Sequence, residues 1–265
     1  MKPQPSDGFE WVQAAGGPAL VCVALRPLAD HLFTTRDWAL GSRGEPADAH
    51  WNPVAAAFGV EPAHLIRMHQ VHGHAVVVRR SGDAAPAVRP LPQADILLSD
   101  DPARVIAIQT ADCVPLLMAD RATGAVAAAH AGWRGLAARV PSVTVLAMAD
   151  QFGTRPADLT VAVGPSICAE RYEVGEEVRA EFAAAGFSRA EMARWFLKGG
   201  RLGHWQFDGW RSAQDQLEAA GVPAATIHVA GLCTATSPDL FCSYRRDGKG
   251  AGRIAGAIRT LKLKS

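Results

Sequence analysis

From residue 65 to residue 129 one apolar run follows another, each of strand length and none spaced as a convincing helix. The runs fall at 65–70, 75–79, 96–98, 105–108, 114–118 and 125–129. Turn chemistry separates them: HQVHGH, a connection over 81–93 with three prolines, SDDPAR, and the segment from Asp120 to Gly124. Parallel strands need long crossovers, usually helical, and these connections supply none. A doubly wound βαβ chain is therefore excluded, and a substantial mixed or antiparallel sheet is expected. The runs at 114–118 and 125–129 read as a hairpin.

The flanks are simpler. Residues 1–18 read as a loosely held start, 19–25 and 32–35 as strands, and 36–50 as loop. Residues 52–58 have helical spacing and stop at Gly59. Residues 136–152 read as a helix with a kink or start at Pro141, because proline cannot donate within a helix. Further helices are expected at 174–185 and 207–220, each ended by glycine. Strands are expected at 159–163, 195–197, 226–230 and 241–245, and 252–263 reads as strand or helix. No low-complexity linker divides the 265 residues, so one domain is expected.

Composition removes several classes of partner. Lys and Arg total 27 against 26 Asp and Glu, which leaves no basic footprint for nucleic acid or an anionic membrane. No apolar stretch approaches the length of a membrane helix. Five cysteines without a CxxC pair argue against a disulfide framework or zinc ribbon. MKPQPSDGFEW lacks an apolar signal core, so a reduced, cytoplasmic protein is expected. Walker A and GxGxxG patterns are absent.

Ligand chemistry gathers at strand ends. The run at 105–108 leads through Asp112 to Cys113, and the run at 125–129 ends on His130. The HQVHGH segment offers His69, His72 and His74; if extended, it puts His72 and His74 on one face. A thiolate with two imidazoles suits zinc or copper, and three protein ligands leave a position open. Spacings of 41 residues from His72 to Cys113 and 17 from Cys113 to His130 are not those of a zinc finger. Residue chemistry alone leaves Cys113 as metal ligand, small core residue, or nucleophile with His130 as base and Asp112 or Asp95 as orienter. Asp112 is also a candidate for moving protons or closing an Asx turn. The glycine-flanked cations of GWRG (132–135) and SYRRDGKGAGR (243–253) suit an oxyanion, or simply form solvated turns.

Read together, these segments resemble a known family. FTTR (33–36), HQVHG (69–73), QADILLSD (93–100), QTADCVPLLMAD (109–120), AAAHAGWRGL (127–136), GPSICAERYEVG (164–175), FDGW (207–210) and FCSYRRDG (241–248) match the multicopper polyphenol oxidase-like (laccase-domain) family, now regarded as purine nucleoside phosphorylases. The resemblance implies an α+β single domain with mixed sheets between helix layers, of α/β/β/α type. It implies a metal centre on His72, Cys113 and His130, with Zn²⁺ expected and copper possible. It also implies phosphorolysis of adenosine, inosine, guanosine and methylthioadenosine, with deamination of adenosine. Purine nucleosides and phosphate are then the partners, and a monomer or homodimer the assembly. On that footing Asp112 and Arg134 are the candidate catalytic residues, and Tyr244 and Arg245 the candidate substrate contacts. A copper-dependent phenol oxidase, a metal-stabilised scaffold and a thiol hydrolase using Cys113 are the alternatives.

Overall fold

Two six-stranded sheets lie face to face in a computed structural model that describes residues 2–41, 48–83 and 90–261. The first strands are β1 (Phe9–Ala14), β2 (Gly17–Cys22), β3 (Ala29–Thr34), β4 (Leu65–Ile66) and β5 (Val76–Arg79). The middle of the chain gives β6 (Ile96–Ser99), β7 (Val105–Thr110), β8 (Val114–Asp120), β9 (Val126–Ala131) and β10 (Leu159–Val163). Then come β11 (Glu173–Gly175), β12 (Phe196–Lys198), β13 (His204–Phe207), β14 (Ile227–Val229) and β15 (Ile254–Thr260). The helices are α1 (Asn52–Ala57), α2 (Trp133–Ala137), α3 (Val140–Phe152), α4 (Glu176–Ala184), α5 (Arg189–Trp195), α6 (Gly209–Ala219) and α7 (Tyr244–Asp247).

The first sheet runs β1-β2-β3-β15-β7-β4 and the second β14-β10-β8-β9-β6-β5, with β11-β13-β12 as a small third sheet. Pairing is antiparallel except at β4/β7, β10/β14 and β5/β6, so both large sheets are mixed. Strand alternation builds three apolar layers. In β8, Val114, Leu116 and Met118 face the helices while Leu117 and Ala119 face the other sheet. In β7, Ile106 and Ile108 face inward while Val105 and Ala107 meet Trp38, Trp51 and α1. Both faces of each central strand are thus covered, which is why these strands read as unbroken apolar runs rather than alternating ones. The order is a thin helical layer, sheet, sheet, and a thick helical layer, the α/β/β/α arrangement expected of the α+β domain. The alanines of β9 let α3 approach the second sheet closely.

Several expectations need correction. Residues 1–18 are not a loose start throughout: Phe9–Ala14 is an edge strand paired with β2, from Phe9 opposite Cys22 to Ala14 opposite Gly17. Only Phe9 of that strand is buried, so its pattern was weak. The strand expected at 19–25 stops at Cys22, where a 3₁₀ turn begins, and the one at 65–70 stops at Ile66. The helix at 136–152 is two helices, α2 and α3, separated by Arg139 in the left-handed region (φ 61°), with Pro141 in the first turn of α3. Residues 174–185 split into β11 and α4. Residues 241–245 are not a strand: the Ser243 side chain caps α7 by accepting from the Arg246 N–H at 3.3 Å. Helix α5 and strand β13 were not anticipated. The 252–263 segment is the strand β15. Residues 42–47 of the expected loop, 84–89 of the proline-rich connection and 262–265 lie outside the described residues.

Candidate metal centre

Two loops and the end of β9 bring His72, Cys113 and His130 together. His130 is held by β9, and its backbone N–H donates to the Asp95 carbonyl at 2.8 Å. Cys113 follows the turn between β7 and β8, where Asp112 takes φ 88°. The HQVHGH segment is not extended: His72 has φ 62°, a left-handed conformation that costs a non-glycine residue energy unless its surroundings impose it. The buried Asp95 imposes it. Its carboxylate accepts from the backbone N–H groups of Val71, His72 and Gly73 at 3.2, 3.0 and 2.7 Å. The same carboxylate lies 2.8 Å from Nδ1 of His130. One acid therefore shapes the His72 turn and fixes the His130 ring, leaving Nε2 to face Cys113.

The ligand atoms of His72, Cys113 and His130 all lie within 4.8 Å of one another. The two rings meet edge to face, centroids 4.9 Å apart. A Cβ on Gly132 would sit 2.8 Å from the Cys113 sulfur and 3.2 Å from Cδ2 of His72, so only glycine leaves this sulfur its place. One thiolate and two imidazoles in this arrangement fit a thiophilic divalent metal. His69 and His74 are exposed and lie outside the group.

Electrostatics prepares the donors. Burial raises the Cys113 thiol, but the charge of His130 and hydrogen bonds from His130 and His72 outweigh it and bring its pKa down to about 6. Burial opposes protonation of His130, yet Cys113 and Asp95 overcome it and raise its pKa to about 9. Burial likewise raises Asp95, and the bond from His130 with the amides of Gly73 and Val71 more than reverses it. Without metal the site holds a thiolate–imidazolium pair backed by a carboxylate.

The remaining candidates separate. Asp112 is buried, and both its oxygens are taken. One accepts from the Thr234 hydroxyl and the other from the Arg245 backbone N–H, each at 2.6 Å. Arg245 sends Nη1 to the Glu173 carbonyl at 2.7 Å and lies over the Tyr172 ring at 5.0 Å. Arg134 is exposed, stacked on Trp133 at 4.1 Å, beside a groove of about 500 Å³ that also touches Glu181. Tyr244 is half exposed on α7. Tyr172 was missed by the sequence reading. Burial pushes its hydroxyl up, Cys113 and Asp112 add to that, and Arg245 and Arg134 oppose it. That hydroxyl thus stands within the field of Cys113, Asp112, Arg245 and Arg134. Asp95 was considered only as an orienter of a nucleophile pair; its control of the His72 turn was not foreseen.

Known proteins resemble this chain in sequence and in fold. A protein of Deinococcus radiodurans named purine nucleoside phosphorylase is 41% identical over 205 residues, 77% of this chain and 74% of that one. One of Streptomyces coelicolor with the same name is 38% identical over 220 residues, covering 83% and 85%. The crystal structure of a Bacillus licheniformis hypothetical protein, YfiH, superposes with a TM-score of 0.86 at 25% identity, covering 96% of this chain and all of that one. The family model described as multi-copper polyphenol oxidoreductase laccase matches residues 33–261, and the chain belongs to that family.

Proposed function

We propose that the chain is a zinc-dependent purine nucleoside phosphorylase, cleaving adenosine, inosine, guanosine and methylthioadenosine with phosphate and also deaminating adenosine. The observation that carries the reading is the converging His72–Cys113–His130 group, in a chain whose relatives are named purine nucleoside phosphorylase. His72, Cys113 and His130 would hold the metal. Zinc held there would supply a Lewis acid able to activate water for hydrolytic attack at purine C6. Cytoplasmic residence fits the reduced thiols this site needs.

The protein's own groups divide the remaining work. In phosphorolysis a phosphate oxygen bonds to ribose C1′ while the bond from C1′ to the purine nitrogen breaks, and the electron pair leaves with the base. The Arg134 guanidinium stacks on Trp133 and makes no hydrogen bond to another described residue, so its planar fork is available to a phosphate dianion. Arg245 lies over the Tyr172 ring with Nη1 held by the Glu173 carbonyl, which leaves the rest of its guanidinium as a second candidate cation for phosphate. Tyr244 offers a half-exposed ring at the rim for a purine. We assign Asp112 to holding the Arg245 backbone and Thr234 in place, since both oxygens are engaged. Product analysis of adenosine with and without phosphate tests the reading. Adenine and ribose 1-phosphate are expected only with phosphate, and inosine without it.

A copper phenol oxidase is the second reading, favoured by the wording of the family model. Among the described residues there is one three-ligand group, whereas multicopper chemistry needs several centres. Copper in the purified protein together with oxygen uptake on a phenol would establish it. A thiol hydrolase is favoured by the Asp95–His130–Cys113 line, and zinc blocking alkylation of Cys113 would count against it.

A further inference from the structure

Cys168 and Cys233, which are not part of the metal-ligand group, meet where two loops run side by side. A parallel bridge joins Ser166 to Cys233. It is built from the Ser166 N–H donating to the Leu232 carbonyl at 3.2 Å and the Thr234 N–H donating to the Ser166 carbonyl at 3.1 Å. In that register the Cys168 N–H donates to the Cys233 sulfur at 3.2 Å. Each thiol also bears on the other's titration. Burial raises Cys233, but the thiol and amide of Cys168 outweigh it and draw it down, while burial and the same contact push Cys168 up. Cys233 is buried and Cys168 partly exposed, so the pair has one protected and one reachable sulfur. Cys22 and Cys242 are buried with raised pKa values and behave as small apolar residues.

We propose that Cys168 and Cys233 are a redox-active dithiol that a peroxide closes to a disulfide. One thiolate attacks the peroxide, the O–O bond breaks, and the first water leaves a sulfenic acid. The second thiol attacks that sulfur, the S–S bond forms, the S–O bond breaks, and the second water leaves. Two thiols lose two electrons, and their two protons end in the two waters. The neighbours of both cysteines grip Asp112. The Ile167 N–H donates to its carbonyl at 3.0 Å, and the Thr234 hydroxyl to its carboxylate at 2.6 Å. Closure of the pair therefore bears on the turn that carries Cys113.

The test is a disulfide map of the full, zinc-loaded chain after graded hydrogen peroxide, alkylation and digestion under non-reducing conditions. A cross-link between the Cys168 and Cys233 peptides is expected in most chains, at doses that leave Cys22 and Cys242 alkylatable, and dithiothreitol should reverse it. In Cys168→Ser the cross-link should vanish and Cys233 should be trapped by dimedone as a sulfenic acid. Recovery of Cys168 and Cys233 as free thiols at those doses, separate oxidation to sulfinic acids, or cross-linking through Cys113 overturns the proposal. If Cys168→Ser does not fold, the map of the unaltered chain decides.

Discussion

Asp95 does the work of several residues. It is buried, accepts three backbone amides and the His130 ring, and so couples one ligand's rotamer to another ligand's backbone. Asp95→Asn should lower metal affinity roughly 10–100-fold, the usual cost of losing a carboxylate behind a ligating histidine. Competition against a chromophoric chelator measures it, and unchanged affinity would deny Asp95 this role. The Cys113–His130 pair gives a pH signature. The raised His130 contributes stability present below the imidazole's ordinary value and lost as pH rises through about 9. The lowered Cys113 contributes stability present above the thiol's ordinary value and lost as pH falls through about 6. Between about pH 6.5 and 9 the slopes oppose, so the pair adds no pH dependence to metal-free stability in that window. The thiolate itself is visible: in metal-free protein, Cys113 alkylation should rise with a midpoint near pH 6, and His130→Ala should move that midpoint upward. Because the thiolate is already formed and His130 is protonated at neutral pH, metal binding should release about one proton, read by calorimetry in buffers of different ionisation enthalpy.

At the scale of elements, the site depends on how strands end. Gly132 joins β9 to α2, and its missing side chain is the space the Cys113 sulfur occupies. Gly132→Ala should fold with a displaced sulfur and lose metal at least as severely as Asp95→Asn; metal content per chain after gel filtration reads this directly. Gly164 after β10 hosts the Phe33 ring between the sheets, where an added Cβ would lie 2.3 Å from a ring carbon. Gly164→Ala should therefore cost about 1–3 kcal/mol in urea unfolding, the range for overpacking a full core. Strands buried on both faces were legible because length and apolarity suffice to mark them, as in β7, β8 and β9. Elements with mixed exposure were not: β1 buries one residue of six, and α7 is a single turn whose cap, Ser243, looks like any turn serine. Helix α5 carries a readable signal, the Ser188–Glu191 capping box, but the run behind it spans only 7 residues.

Across the whole molecule, the three ligands come from separate segments that only the packed sheets bring together. Their residue types were legible, but which histidine of HQVHGH turns inward came from the family resemblance and not from spacing, since it depends on the left-handed backbone at His72 and on Asp95 from another segment. Tyr172 was hidden for the same reason, having no local pattern and a position set by the 164–175 loop packing on α7. Among the described residues no helix is long and apolar enough to cross a membrane. Metal bound at a site that exists only in the fold must stabilise the fold, by about 2.7 kcal/mol at a free concentration 100 times Kd, so chelation should lower Tm. The central claim is tested most directly by chromatography of a nucleoside panel, incubated with and without phosphate, on protein of measured metal content. Zinc near one per chain, with free purine base and ribose 1-phosphate formed only when phosphate is present, and both abolished by Cys113→Ser, is the predicted result. Zinc-loaded protein that leaves every nucleoside intact, or copper-loaded protein that instead consumes oxygen with a phenol, would contradict it.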